Sequence, residues 1–237
     1  MENERDIYPV IINKYLALKK ISSRKEADRL LKAGKIKING RLAEPGQMVG
    51  ESDQVEVEVN ENFIYLAYHK PKGIITHSPQ GKEKSIADIF KTKEKVFPIG
   101  RLDKASSGLI ILTNDGRITD RLLNPDVWHE KEYEVTVNKK IEPRTLRQLE
   151  QGVKLDDGYL TRPCKTRKLS DRKFGIILTE GKKHQIRRMC QALGYHVDEL
   201  KRIRVINIRL ADIKVGGFRE IKGQEKERFL KLVGLHK

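Results

Sequence analysis

Three observations predict an α+β fold in which a small N-terminal domain precedes a larger domain built on a largely antiparallel mixed sheet. The chain of 237 residues is long enough for one large and one small domain. In its first 60 residues, two short helical patterns come before a few short strand patterns. Beyond residue 62, strand patterns outnumber helical ones and do not alternate regularly with them. We therefore expect a tail over 1–8, a small domain over 9–59, a linker over 60–62 and a large domain over 63–237.

Capping and turn signals define the elements of the small domain. Helical spacing covers Asn13–Leu18, and the pair Ser23 and Glu26 has the S-x-x-E pattern of a helix start. Gly34 is placed to end that second helix. A hairpin turn and two strand patterns follow, at Asn39-Gly40, Lys35–Ile38 and Gln54–Val59. The predicted domain is two short helices followed by a small sheet.

Charge is distributed unevenly along this small domain, with cations in its first part and acids dominating from Glu44 to Glu61. From Lys14 to Arg41 there are ten Lys and Arg residues against two acids, Glu26 and Asp28. A solvated helix face usually mixes both signs, so one-sided charge indicates contacts with phosphates. The whole chain carries 49 Lys and Arg against 33 Asp and Glu, a net charge of +16. Both observations predict a polyanionic partner.

The large domain is predicted from short apolar or alternating runs interrupted by helical patterns. Predicted strands lie at 63–68, 73–76, 96–99, 109–112, 132–137, 174–178 and 202–210. Predicted helices lie at Ser85–Phe90, Arg117–Leu123, Pro143–Gln151, His184–Leu193 and Gln224–Val233.

Val96–Gly116 contains the strongest functional signal. Its two apolar runs are bounded by Gly100 and Gly108, which predicts a loop between two buried strands. Asp103 stands in that loop, with Arg101 two residues before it. An isolated R-L-D is usually a solvated acidic turn. A loop attached to two strands can instead present one carboxylate rigidly, with an arginine that can reach phosphate or displace a base.

Composition and motifs exclude several function classes. The sequence has no G-x-G-x-x-G, P-loop, C-x-x-C or H-E-x-x-H pattern, so we expect no cofactor and no metal. Cys164 and Cys190 lack a His cluster and are expected to be packing residues. No apolar run approaches the ~20 residues of a membrane span, and Met1–Ile7 is acidic, unlike a signal peptide. We expect a cytoplasmic protein that does not bind membranes.

Four sequence blocks resemble the RsuA/RluB/RluE/RluF branch of pseudouridine synthases. In chain order they are LAYHKPKGIIT (66–76), GRLDKASSGLIILTNDG (100–116), HEKEYEVTV (129–137) and EGKKHQIRRM (180–189). Within the branch they most resemble the RluF type, which acts on large-subunit ribosomal RNA. The segment INKYLALKKISSRKEADRLLKAGKIKING (12–40) resembles an S4 RNA-binding domain. The resemblance implies an S4 (α-L) fold followed by a catalytic domain with one long bent sheet.

The resemblance also implies roles for individual residues. Asp103 matches the catalytic acid, Arg187 the basic residue that pairs with it, and Tyr133 the tyrosine that stacks on the target base and acts in proton removal from C5. Ile186 would lie beneath the base, and Arg101 would fill the space that the flipped nucleotide leaves. The remaining implied RNA contacts are Arg188, Lys14, Arg24, Lys25, Arg29 and Lys32.

Pseudouridine formation breaks the N1–C1′ bond of uridine and joins C5 to C1′, so no outside group is required. An ionised carboxylate at C1′ is required, either to attack the sugar or to remove a proton, and the sequence leaves that choice open. We expect a monomer acting on 23S ribosomal RNA. The alternatives are the same chemistry on transfer RNA and a non-catalytic S4-type RNA-binding protein. A hydrolase using Asp103 and His184 would lack a second carboxylate.

Overall fold

The computed structural model describes residues 8–19, 21–58, 62–81, 83–124 and 126–235. The predicted tail over 1–8 and linker over 60–62 lie outside these ranges except for Tyr8 and Asn62. The chain divides into two compact units. The small unit comprises residues 1–63 and 115–120, and the large unit comprises residues 64–114 and 121–237.

The small unit has two helices and short strands, as the capping and turn signals predict. Ser23 Oγ accepts a hydrogen bond from the Glu26 amide, 3.2 Å away, and so caps the second helix. Asn39 and Gly40 both have positive φ, 52° and 76°, which is the geometry of a type I′ hairpin turn. The elements are β1 Val10–Ile11, α1 Ile12–Leu18, α2 Arg24–Lys32, β2 Ile36–Ile38, β3 Arg41–Leu42, β4 Met48–Val49 and β5 Val55–Val57.

The large unit is built on a mixed sheet of nine strands among the residues described. They are β6 Tyr65–Lys70, β7 Phe97–Ile99, β8 Ser107–Thr113, β9 Lys131–Val137, β10 Lys165–Lys168, β11 Lys173–Leu178, β12 Val197–Val205, β13 Ile208–Arg209 and β14 Phe218–Glu220. The main order is β10-β11-β9-β12-β8-β6-β14, with β7 paired to β8 and β13 to β12. Only the β12–β8 pair is parallel among these strands. The predicted α+β fold with a largely antiparallel mixed sheet is therefore confirmed.

The helices of the chain's second part are α3 Ile86–Ile89, α4 Arg117–Leu123, α5 Pro143–Gln151, α6 Gln185–Ala192 and α7 Gly223–Leu232. Strand β8 reads as a continuous apolar run because its residues from Gly108 to Thr113 are all buried. An alternating pattern would leave one face in water. The core on one side of the sheet joins α5 and α6 to β9, β11 and β12, with Phe174 and Met189 fully buried.

The structure corrects two strand predictions and adds two strands. The predicted strand at 73–76 is a loop with one isolated bridge, Ile75 to Ser85. The run 202–210 is not one strand, because the chain turns at Ile206, where φ is +54°, between β12 and β13. The sequence pattern does not predict β10 and β14, since KTRK and FRE are short, charged and without an apolar face.

Candidate active site

The Asp103 loop, residues 100–106, connects the antiparallel neighbours β7 and β8. Gly100 begins it with φ +74°, a conformation that L residues adopt only with strain. Asp103 has 35% of its side chain exposed, so a carboxylate is available at the sheet surface. The predicted loop between two strands is confirmed, and β8 is buried as expected, whereas two of the three residues of β7 are partly exposed.

Hydrogen bonds fix the Asp103 loop through its main chain. Six consecutive carbonyl oxygens, from Arg101 to Ser106, each accept a hydrogen bond. In chain order the donors are Arg202 Nη1, Thr76 Oγ1, the Ser106 amide, the Gly73 amide, Arg187 Nη2 and Lys70 Nζ, at 2.7–3.2 Å. Thr76 Oγ1 also accepts from the Leu102 amide at 3.0 Å. These bonds form a frame that holds the backbone carrying Asp103 on both sides.

Lys70, at the end of β6, is wholly buried and belongs to this frame. Its ammonium group donates to the carbonyl oxygens of Pro71, Ile74 and Ser106 at 2.9, 2.6 and 3.0 Å. Burial lowers the pKa of Lys70 to about 8, and the nearby charge of Asp103 raises it in part. Its residue type alone suggests a surface cation. Its place as the last residue of a buried strand, directly before a proline, is the signal that could have identified its buried role.

Asp103 and Arg187 do not form the ion pair that the family resemblance implies. Arg187 donates to the carbonyl oxygens of Val197 and Ala105, at 2.8 and 3.1 Å. The basic group beside Asp103 is His184, whose Nε2 lies 3.6 Å from Oδ1. His184 precedes α6 in the left-handed conformation, at φ +53°, and half of its side chain is exposed. Arg187 extends instead along the main chain, so it fixes the backbone of the loop.

Tyr133 and Ile186 belong to the hydrophobic core of the large unit. Both are buried, with 9% and 4% exposure, in the same cluster as Leu102, the residue before Asp103. Tyr133 is on β9, paired with Ile176 on one side and Arg202 on the other. The loop, β9 and α6 therefore bring Asp103, Tyr133 and Ile186 into one region of the large unit.

The predicted RNA-contacting residues differ in their surroundings. Arg101 is exposed, whereas Arg188 is bound to Asp156 and, at 2.8 Å, to Asp157. The charge of Arg188 is therefore already compensated. On the small unit, Arg29 pairs with Glu26 at 3.2 Å. All five predicted cations there have exposed side chains: Lys14, Arg24, Lys25, Arg29 and Lys32.

Neither cysteine is suited to nucleophilic chemistry. Burial raises the pKa of Cys164 and of Cys190 to about 12, so both are thiols at neutral pH. Within the part of the chain that the structure describes, no cluster of three or more potential metal ligands is present. None of the described helices is long and apolar enough to cross a membrane.

The chain thus combines a small domain that carries exposed cations on two helices with a mixed sheet that presents a partly exposed carboxylate on a braced loop. Comparison with known families identifies the class of protein to which it belongs. The model of the RNA pseudouridylate synthase family matches residues 64–192, and the model of the S4 domain matches residues 12–55. The chain belongs to the RNA pseudouridylate synthase family and is an RNA pseudouridine synthase with an N-terminal S4 domain.

Individual relatives agree with this assignment. The chain is 38% identical to the dual-specificity RNA pseudouridine synthase RluF of Escherichia coli strain K12, over 94% of this chain and 79% of that protein. It is 37% identical to ribosomal large subunit pseudouridine synthase B of Bacillus subtilis, over 92% and 94%. A crystal structure of a pseudouridylate synthase superposes with a TM-score of 0.70 at 26% identity, covering 94% and 99% of the two chains.

Proposed function

We propose that this enzyme converts a specific uridine of 23S ribosomal RNA to pseudouridine, with Asp103 as the catalytic carboxylate. The observation that carries the proposal is the Asp103 loop, in which bonds to six carbonyl oxygens hold one partly exposed carboxylate above a core containing Tyr133. A relative named for the large ribosomal subunit supports the substrate class. We also propose that the enzyme is cytoplasmic and monomeric.

The proposed reaction begins when the target nucleotide turns out of its helix. Unstacking costs a few kcal/mol, and a guanidinium can offset it by stacking in the vacated space and binding phosphate. Arg101 is suited to this role because its side chain is exposed while its carbonyl oxygen is fixed by Arg202. The flipped uridine then places C1′ at Asp103.

Other residues near Asp103 are proposed to hold the uracil ring or to position the Asp103 loop. Tyr133 and Ile186 are proposed to contact the uracil ring, and Tyr133 to take part in proton removal from C5. Arg187 is proposed as a positioning residue, because it binds the Ala105 carbonyl oxygen and not the carboxylate itself. His184 lies beside that carboxylate, with its Nε2 3.6 Å from Asp103 Oδ1.

The small unit is proposed to bind RNA backbone through the exposed cations of α1 and α2: Lys14, Arg24, Lys25, Arg29 and Lys32. Replacing one phosphate-binding cation by a neutral residue should reduce the slope of log affinity against log salt by roughly 0.7–0.9. Arg188 is also proposed to contact RNA, which would require partial release from Asp156 and Asp157.

A second RNA substrate class, transfer RNA, is a further candidate. It is favoured by the relative at 38% identity that is named a dual-specificity enzyme. The same protein chemistry would serve both substrates, since the reaction involves one nucleotide.

Pseudouridine has the mass of uridine but reacts stably with carbodiimide, which permits mapping. Ribosomal and transfer RNA from cells with and without the gene should differ at a specific uridine. Restoration by the wild-type gene and failure by Asp103→Asn would support the proposal. Asp212→Asn, an exposed carboxylate elsewhere on the large unit, is the matched control. Purified Asp103→Asn enzyme with turnover within about tenfold of wild type would contradict the role of Asp103.

A further inference from the structure

Two aromatic side chains of the large unit each carry a cation on the ring. Trp128 is 66% exposed, and the Arg162 guanidinium lies 4.8 Å from the centroid of its ring. Lys182 Nζ lies 4.4 Å from the centroid of the Tyr159 ring. We refer to Trp128, Tyr159, Arg162 and Lys182 as the aromatic strip. None of these residues takes part in the proposed chemistry at Asp103.

One buried carboxylate organises the aromatic strip. Glu180, whose side chain is 7% exposed, accepts hydrogen bonds from the Tyr159 hydroxyl at 2.6 Å and the Arg162 amide at 3.0 Å. The bond to Glu180 raises the pKa of Tyr159, so that ring stays a neutral phenol. Both ring–cation pairs are thus attached to the same group.

The same carboxylate connects the strip to the candidate active site. Glu180 also accepts from Gln185 Nε2, and Gln185 directly follows His184, the neighbour of Asp103. On the other side, Trp128 precedes Tyr133 by five residues, so their Cα atoms are at most about 18 Å apart. The strip is therefore linked through Glu180 and Gln185 to His184, the residue beside Asp103.

Its composition fits single-stranded RNA. Proteins bind unpaired nucleotides by stacking bases on aromatic rings beside cations that attract the phosphates. A tryptophan with two thirds of its surface in water has a free face for such stacking. Glu180 is paired with Arg162, whose Nε lies 4.0 Å from Oε2, and Asp156 and Asp157 are bound to Arg188, so the acids of this region already have cationic partners.

We propose that the aromatic strip binds unpaired nucleotides flanking the target uridine, with one base stacked on Trp128 and phosphates near Arg162 and Lys182. The inference rests on the proposed function in one respect, that the uridine is bound at Asp103. If the strip binds in this way, the enzyme selects target uridines that have unpaired nucleotides beside them.

The chain contains one tryptophan, so its fluorescence reports directly on the strip. The probe is a mixed-sequence single-stranded RNA of about ten nucleotides, compared with an abasic ribose-phosphate strand of equal length. The RNA should quench Trp128 and the abasic strand should not, although both are polyanions. The readout needs no turnover, so it remains valid if Asp103 proves to act differently or on another RNA.

Binding of a labelled copy of the same RNA, measured by fluorescence anisotropy, provides the second test. Trp128→Ala should weaken binding by at least about fivefold, and Trp128→Phe should restore most of it. Val215→Ala is the control, because Val215 is 65% exposed elsewhere on the large unit. Bound RNA without quenching, or unchanged affinity of Trp128→Ala, would overturn the proposal. Self-association that Trp128→Ala abolishes in sedimentation would also overturn it, by assigning the surface to protein contacts.

Discussion

Replacing Thr76 by valine should damage catalysis without touching any residue that contacts RNA. Thr76 is 4% exposed, and its hydroxyl is bonded to both the carbonyl oxygen and the amide of Leu102, at 2.8 and 3.0 Å. Valine keeps the shape of threonine but removes both bonds. The Asp103 loop then loses its attachment one residue before the catalytic carboxylate.

The magnitude follows from two buried backbone groups left without partners. Each costs about 1–3 kcal/mol, so the free energy of unfolding should fall by roughly 2–4 kcal/mol after the small apolar gain of valine. For a domain of this size, the melting temperature should fall by roughly 4–16 °C. The turnover number should fall at least about tenfold while KM changes little, because Asp103 is no longer held at C1′.

Thermal melts and carbodiimide-based rate assays on one RNA substrate measure both effects. Thr136→Val is the matched control, since Thr136 on β9 is half-buried and its hydroxyl makes no hydrogen bond among the described residues. A Thr76→Val enzyme with wild-type turnover would refute the idea that main-chain contacts position the carboxylate. If only the melting temperature fell, the two bonds would stabilise the fold without positioning the carboxylate, and the idea would still be refuted.

Three further predictions concern the same region. Gly108→Ala should destabilise the large unit by roughly 3 kcal/mol or more, because φ at Gly108 is +113° and a Cβ there would lie 2.5 Å from the main-chain nitrogen of Arg202. Chemical denaturation measures this loss, and Gly181→Ala is the control because a Cβ at Gly181 meets open space. Burial lowers the pKa of Lys70 to about 8, so its ammonium should lose a proton above pH 8 and leave one of three carbonyls unbound. The turnover number should fall above pH 8. Over the same range, up to the pKa of 10.5 in the unfolded chain, the contribution of Lys70 to stability should rise, because the unfolded chain then binds more protons than the folded one. A turnover number that stays constant to about pH 9.5 would contradict the prediction. Arg101→Ala should slow the reaction on structured RNA much more than on a short single strand, with an unchanged melting temperature; equal losses on both would argue against its role.

The sequence predicts most of this fold because its elements have strong local signals. Helices α4 and α5 have the predicted bounds, and Pro143 marks the start of α5. The hairpin turn at Asn39-Gly40 is also confirmed. Weak local signals explain the errors, since the charged strand β10 is defined only by pairing with β11. A strand that depends on pairing with its neighbour leaves no trace in the apolar pattern of its own residues.

For the candidate site as well, the sequence predicts some features and misses others. The family pattern locates Asp103 and places it on a loop between two strands, which the structure confirms as geometry. Which basic group faces the carboxylate depends on side-chain directions at the start of α6, where His184 lies beside Asp103 and Arg187 binds main-chain carbonyl oxygens instead. The burial of Lys70 likewise depends on the meeting of two segments, residues 71–74 and the Asp103 loop, which neither segment reveals alone.

The Asp103 loop is held in a way that makes the position of its carboxylate independent of which side chains the loop exposes. Every bond of the frame ends on a main-chain atom of the loop, and all amino acids share those atoms. The exposed side chains of Arg101, Lys104 and Ala105 contribute nothing to those bonds. They can therefore be exchanged without removing any bond that holds the backbone of Asp103. Selection, or a protein engineer, can alter what the rim of the site recognises without rebuilding the part that reacts.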